Sequence, residues 1–246
     1  MENVLLVTLS RQMALRREMD VIANNVANVT TNGFKRRMSD SREFQMPTAH
    51  TDTFRKGEDR RISFVIDKGT PLDLTPGTME PTQNPMDVAI NGEGFFVVQT
   101  PQGERFTRNG ALSLNANGEL VNSDGYALLG EQGTFQFTAQ DNKVTFANDG
   151  TVVTDNGPRG KLRIVRFENP QALENAGSNI FASRAPAEPL PAARVQSGFV
   201  ERSNVRPVVE ISRMIELNRA YQNIATMMSR SDETRRTAIQ RLGESI

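Results

Sequence analysis

Few side chains in this chain could run a reaction. His50 is its only histidine and cysteine is absent, so a histidine-based metal cluster, a triad with a histidine base and thiolate chemistry all lack their groups. Gly92-Glu93-Gly94 has part of the look of a dinucleotide loop, but the third glycine is missing and no helical pattern follows. Asp87, Glu93, Glu104, Asp124 and Asp149 fall in a turn-rich stretch and could converge as a carboxylate pair of the glycosidase kind. With so many turn carboxylates, turn chemistry is the simpler account. The residues therefore point away from an enzyme and from any cofactor or metal, with a monomeric β-domain hydrolase as the alternative.

What remains is a pattern suited to contacts between chains. Leu15, Met19, Ile22, Val26 and Val29 step by four, three, four and three, which lines one narrow face of a helix over residues 2–28. Leu5 and Leu9, nearer the N-terminus, are further candidates for contacts between subunits. Asn24, Asn25 and Asn28 are mediocre helix formers whose amides compete for backbone groups, so near a helix end they read as termination or as hydrogen bonds between subunits. Asn32-Gly33 can then take the left-handed conformation that stops the chain before Phe34.

A second helix is expected from Pro207, a residue suited to a first turn, to Leu242. Ile211, Met214, Leu217, Tyr221, Ile224 and Met228 repeat the narrow spacing, which fades through Ser231 to Arg236. Seams this narrow do not repay the entropy of ordering two long helices alone, so the ends are expected to pair with each other and with other chains. Charged residues along them, including Arg16, Arg17, Glu18, Asp20, Glu210, Arg213 and Glu216, read as a solvated face.

Between the helices the texture changes twice. Residues 36–79 are irregular, with basic clusters at Lys35-Arg36-Arg37 and Arg60-Arg61 and one strand expected at 62–66; a run of this kind reads as an assembly segment. Residues 80–185 alternate short apolar runs with Asn-Gly or Asp-Gly at 91, 109, 117, 124, 149 and 156, the dipeptides of tight hairpins, and predict a compact all-β domain, a small barrel or sandwich. Pro186, Pro189 and Pro191 mark 186–206 as a linker. The fold class is thus α+β: terminal helices (1–35 and 207–246) pairing as a coiled-coil-like layer, with a β domain inserted between them.

Twenty-nine basic residues balance twenty-nine acidic ones, which argues against nucleic acid and against an anionic membrane surface as partners. The N-terminal apolar run lacks a cationic lead and stops within a few residues, unlike a cleaved secretion signal or a membrane span.

Four stretches in order resemble the bacterial flagellar basal-body rod and hook family. They are Ala23-Asn24-Asn25-Val26-Ala27-Asn28 with Thr31-Asn32-Gly33-Phe34-Lys35; Asn84 to Phe96; Thr107-Arg108-Asn109-Gly110; and Ser203-Asn204-Val205 leading to Met214 through Gln222. Arg11 to Leu15 and the chain length are most similar to the proximal-rod branch, whereas Thr31-Asn32-Gly33 is more typical of the distal-rod relative. The resemblance implies a self-assembling structural subunit of the periplasm-spanning rod, exported unfolded by the flagellar type III route, with its own copies, neighbouring rod proteins and export-gate or rod-base proteins as partners. A distal-rod or hook paralogue is the alternative within the family.

Overall fold

The structure of the protein, a computed structural model, describes residues 2–45, 63–138, 140–141, 143–177 and 179–243. Those residues form an α+β chain, with helix α1 (Glu2–Ala27), a region of short strands and helix α2 (Pro207–Gly243). The chain makes two units, one of Met1–Val26, Arg37–Pro71 and Pro207–Ile246, the other of Ala27–Arg36 and Leu72–Arg206. It therefore passes between them at 26–27, 36–37, 71–72 and 206–207.

In the helical unit, α1 buries Leu15, Val21, Ile22 and Asn25. Helix α2 half-buries Met214, Leu217, Tyr221, Ile224 and Met228, the row that the spacing predicts. It continues without interruption through Ser231–Arg236, where the apolar repeat fades, because arginine and glutamate are good helix formers on a solvated surface. A hairpin of Asp40–Gln45 and Ser63–Gly69 completes the described part of this unit, with Phe44 opposite Phe64. Only the second of these strands is expected from sequence, and its first expected residue, Ile62, lies outside the described residues, as do His50 and Arg60-Arg61. The first strand, Asp-Ser-Arg-Glu-Phe-Gln, has almost no apolar residue to mark it.

Every strand pair of the β unit is antiparallel. Its ten-stranded sheet runs through Glu174–Asn175, Ile180–Ala182, Gly103–Thr107, Phe95–Thr100, Ala127–Gly130, Leu120–Asn122 and Leu112–Leu114, with Gly133–Thr134, Ile164–Arg166 and Glu188–Pro189 attached at its sides. The Phe95–Thr100 strand explains its own sequence. Phe96 and Val98 enter one apolar cluster, Phe95 and Val97 the other, so burial on both faces removes the usual alternation. The second cluster is tied by edge-to-face rings, Phe106 on Phe167 at 4.8 Å and Phe95 on Phe181 at 5.9 Å.

Turn chemistry holds at three of six sites. Asn117-Gly118, Asp124-Gly125 and Asp149-Gly150 each lie between neighbouring antiparallel strands, whereas Gly157 is itself the first residue of a strand and pairs with Thr154 around a turn of Asp155-Asn156. Asn91-Gly92 and Asn109-Gly110 do not close hairpins. Val88–Asn91 pairs with Arg194–Ser197, far along the chain, and Gly110 is required because a side chain there would overlap the Val88 carbonyl oxygen. A glycine needed for close approach and one needed for a turn look alike in sequence.

The stretch 186–206 is likewise not a plain linker. It supplies the strands Glu188–Pro189, Arg194–Ser197 and Phe199–Glu201, and buries Val195 and Val200. Its prolines mislead because Pro189 sits in a two-residue strand paired through Val165 on one side, a position that tolerates proline.

Candidate assembly residues and a buried charge cluster

Helix α1 ends at Ala27, and Thr31 donates its backbone N–H to the Asn28 carbonyl oxygen as the chain turns away. Gly33 then adopts φ +67°, packed so closely on the backbone of Arg108 and Asn109 that a side chain would collide with both. Its N–H donates to the Glu201 carbonyl oxygen at 2.6 Å. The left-handed glycine thus fixes both the turn and the docking, and it delivers Phe34 and Lys35 to the interior.

Lys35 is only 2% exposed. Its Nζ donates to Glu201 Oε1 at 2.6 Å and to the Thr75 carbonyl oxygen at 2.8 Å. Arg108 approaches the other oxygen, Nη1 to Glu201 Oε2 at 3.3 Å, while its Nη2 donates to the Gly92 carbonyl oxygen and its guanidinium lies over the Phe95 ring. Gly77 N–H donates to Glu201 Oε1 as well. One buried carboxylate therefore serves two buried cations. Burial pushes the Lys35 ammonium below its ordinary range, against the pull of Glu201, and lowers Arg108 for the same reason.

Asparagine amides hold the neighbouring backbone. In the β unit Asn204 accepts from Arg36 N–H at 2.7 Å and donates to the carbonyl oxygens of Asp73 and Thr75, and Asn179 donates to Asn32 O. In the helical unit Asn25 accepts from Arg37 N–H and donates to the Arg37 carbonyl oxygen and to Glu210 Oε2. Glu210 is 1% exposed, which corrects its assignment to a solvated face: it sits in the first turn of α2 opposite a buried amide. Glu18 and Arg213, placed on the same face from sequence, pair with each other, and Lys35, counted with Arg36 and Arg37 as a basic cluster, is itself buried.

Of the other residues named from sequence, Leu15, Ile22, Asn25, Gly33 and Phe34 are buried. Met19, Asn24, Val26, Asn28 and Asn32 are half-buried. Leu9 and Ile211 are exposed, and the side chain of Leu5 lies outside the described residues. The carboxylates weighed for hydrolysis have local partners: Asp87 accepts from Asn84, Glu104 pairs with Arg163, and Asp149 accepts from Thr151, whose hydrogen bonds lower its pKa. Burial raises Asp124. Glu201 is the group sequence reasoning missed. In a stretch expected as linker, a lone glutamate gives no sign that it closes against residues 166 positions away.

Comparison with known proteins matches three segments of the chain. Residues 5–35 match the model described as flagella basal body rod protein, 89–155 the flagellar hook protein FlgE/F/G D1 domain, and 196–241 the flagellar basal body rod FlgEFG protein C-terminal. The flagellar basal-body rod protein FlgF of Caulobacter vibrioides is 39% identical over 248 residues, 99% of each chain. The chain belongs to the flagellar basal-body rod family. FlgF of Mesorhizobium japonicum is 34% identical over 99% of both chains, and FlgG of Buchnera aphidicola from Acyrthosiphon pisum is 32% identical over 87% of this chain and 90% of its own. Lys35, Arg108 and Glu201 come one from each of the three rod-family segments, so the buried cluster is where those segments meet.

Proposed function

We propose that the chain is a structural subunit of the flagellar basal-body rod, built into the axial drive shaft through its terminal helices. The observation that carries this reading, given the family, is the unfinished surface of the helical unit. Leu6, Leu9 and Met13 on α1, and Val208, Val209, Ile211, Ile215, Met227, Ile239 and Leu242 on α2, are large apolar side chains left exposed. Rows like these mark surfaces that other chains cover.

In the assembled rod α1 and α2 form the axial coiled-coil-like layer, the 36–79 segment packs between neighbouring subunits, and the β domain of 80–185, extended by the strands of 186–206, faces outward. Torque needs stiffness, which many parallel helices interlocked over several turns provide. The partners are its own copies, other rod proteins, and the export-gate or rod-base proteins beneath them. The subunit works in the periplasm-spanning rod; among the described residues no helix is long and apolar enough to cross a membrane.

Limited proteolysis of the purified full chain, with far-UV circular dichroism before and after, tests the reading. Rapid loss of both ends with little loss of helical signal is expected of termini that order on assembly. Resistant, strongly helical ends together with normal swimming after deletion of the gene would overturn it.

A further inference from the structure

We propose that a groove on α1 receives the distal part of α2 from a second copy of this chain, with Arg16 facing Glu233 and Asp20 facing Arg230. The proposal rests on the rod-subunit reading and supplies the residues of one contact within it. The groove, of about 640 Å3, is lined by Arg16, Arg17, Asp20 and Arg37 around Met13 and Val21. Among the described lining residues, three carry a guanidinium group and one a carboxylate. The Nε of Arg37 is buried without a hydrogen-bond acceptor, and burial lowers its pKa; the Glu233 carboxylate, brought to Arg16 in the same groove, would supply an acceptor.

The occupant follows from the register of the two helices. Arg213 bonds Glu18, and Asn25 bonds Glu210, so α1 and α2 run antiparallel. Sixteen residues back from Glu18 to Glu2 correspond to sixteen forward from Arg213 to Ser229. Beyond Ser229, α2 continues to Gly243, about 20 Å of helix past the described length of α1. Asp232 and Glu233 lie exposed on that overhang, with Arg230 just before them and Ile239 and Leu242 exposed after them.

Set antiparallel, as within one chain, Glu233 and Arg230, three apart on one face of α2, present the charge order that Arg16 and Asp20, four apart on one face of α1, complement. In this register residue 18 of one copy stands opposite residue 231 of the other, 18 positions beyond its own partner Arg213. The second copy is therefore displaced by about 27 Å along the helix axis. The contact joins two different surfaces, so it repeats from copy to copy and does not close into a dimer.

The absence of cysteine makes the test direct. Full chains carrying Arg16→Cys and Glu233→Cys are expressed together in one cell, and basal bodies are isolated and oxidised. A cross-linked dimer that appears only when both variants are present is expected, with a Glu18→Cys, Arg213→Cys chain as the intramolecular control. In parallel, Arg16→Glu is expected to shrink the swimming zone several-fold and Glu233→Arg to restore it. Basal bodies that contain both cysteine chains yet give no dimer, or that cross-link to a different protein, overturn the proposal. So does an Arg16→Glu defect that Glu233→Arg leaves in place. Silent charge reversals, where gene deletion still abolishes swimming, sink this contact alone; swimming without the gene sinks the rod reading.

Discussion

The two units of this molecule treat their difficult side chains in opposite ways. The β unit encloses charge: Lys35, Arg108 and Glu201 are each at most 4% exposed and meet within one cluster. The helical unit displays oil, with Val208 77% and Met13 66% exposed. A buried ion cluster is worth little against a well-packed apolar one but costs much when broken, whereas exposed apolar rows cost little in the monomer and become useful when covered. The first unit is finished within the chain, and the second, on the proposed reading, is finished by its neighbours.

Breaking the β unit should give the largest effects. Glu201→Ala strands two buried cations, and a loss of about 3–5 kcal/mol is expected in chemical denaturation of the full chain. Gly33→Ala meets both a left-handed backbone and the Arg108 main chain, and should cost about 1–3 kcal/mol by the same measurement. Lys35→Met sharpens the contrast within the cluster. It leaves Glu201 paired with Arg108, and Thr75 O still accepts from Asn204, so the loss should be about 1 kcal/mol or less.

The pH dependence of that variant separates charge from shape. Burial holds the Lys35 pKa below 10.5 in the folded chain, so the folded state binds fewer protons than the unfolded one between the lowered value and 10.5. The cost of burying the ammonium is present in full below that window and fades as pH rises through it. Thermal melts across the alkaline range should therefore show the parent gaining on Lys35→Met as pH rises toward 10.5; parallel curves would refute it. Smallest in the monomer is Met227→Ser, on the displayed face, with a change within about 0.5 kcal/mol but reduced incorporation into isolated basal bodies.

The helices were legible in the sequence because apolar steps of three and four line up on one side of a helix and scatter over both faces of a strand, and Met214 to Met228 lie where that spacing puts them. The paired turns at Asn117 and Asp124 were equally plain, since strand neighbours in sequence are neighbours in the sheet. Contacts with no local period stayed hidden. Strand Arg194–Ser197 finds Val88–Asn91 across the chain, and nothing near Val195 announces Ile90. Glu201 and Glu210 look like ordinary surface residues until the segments they hold are brought together. The asparagines near the end of α1 were singled out, but Asn25 proves to hold a neighbouring segment of its own chain, a role that composition cannot separate from helix termination.

The span of the Lys35–Glu201 contact, 166 residues, also sets a schedule. A chain that emerges N-terminus first brings out Lys35 early and Arg108 midway, and both cations must stay hydrated until Glu201 follows. No partial length can seal that interior cheaply. The cluster acts as a tally of how much polypeptide has arrived, and the β unit locks only when nearly all of its own sequence is present.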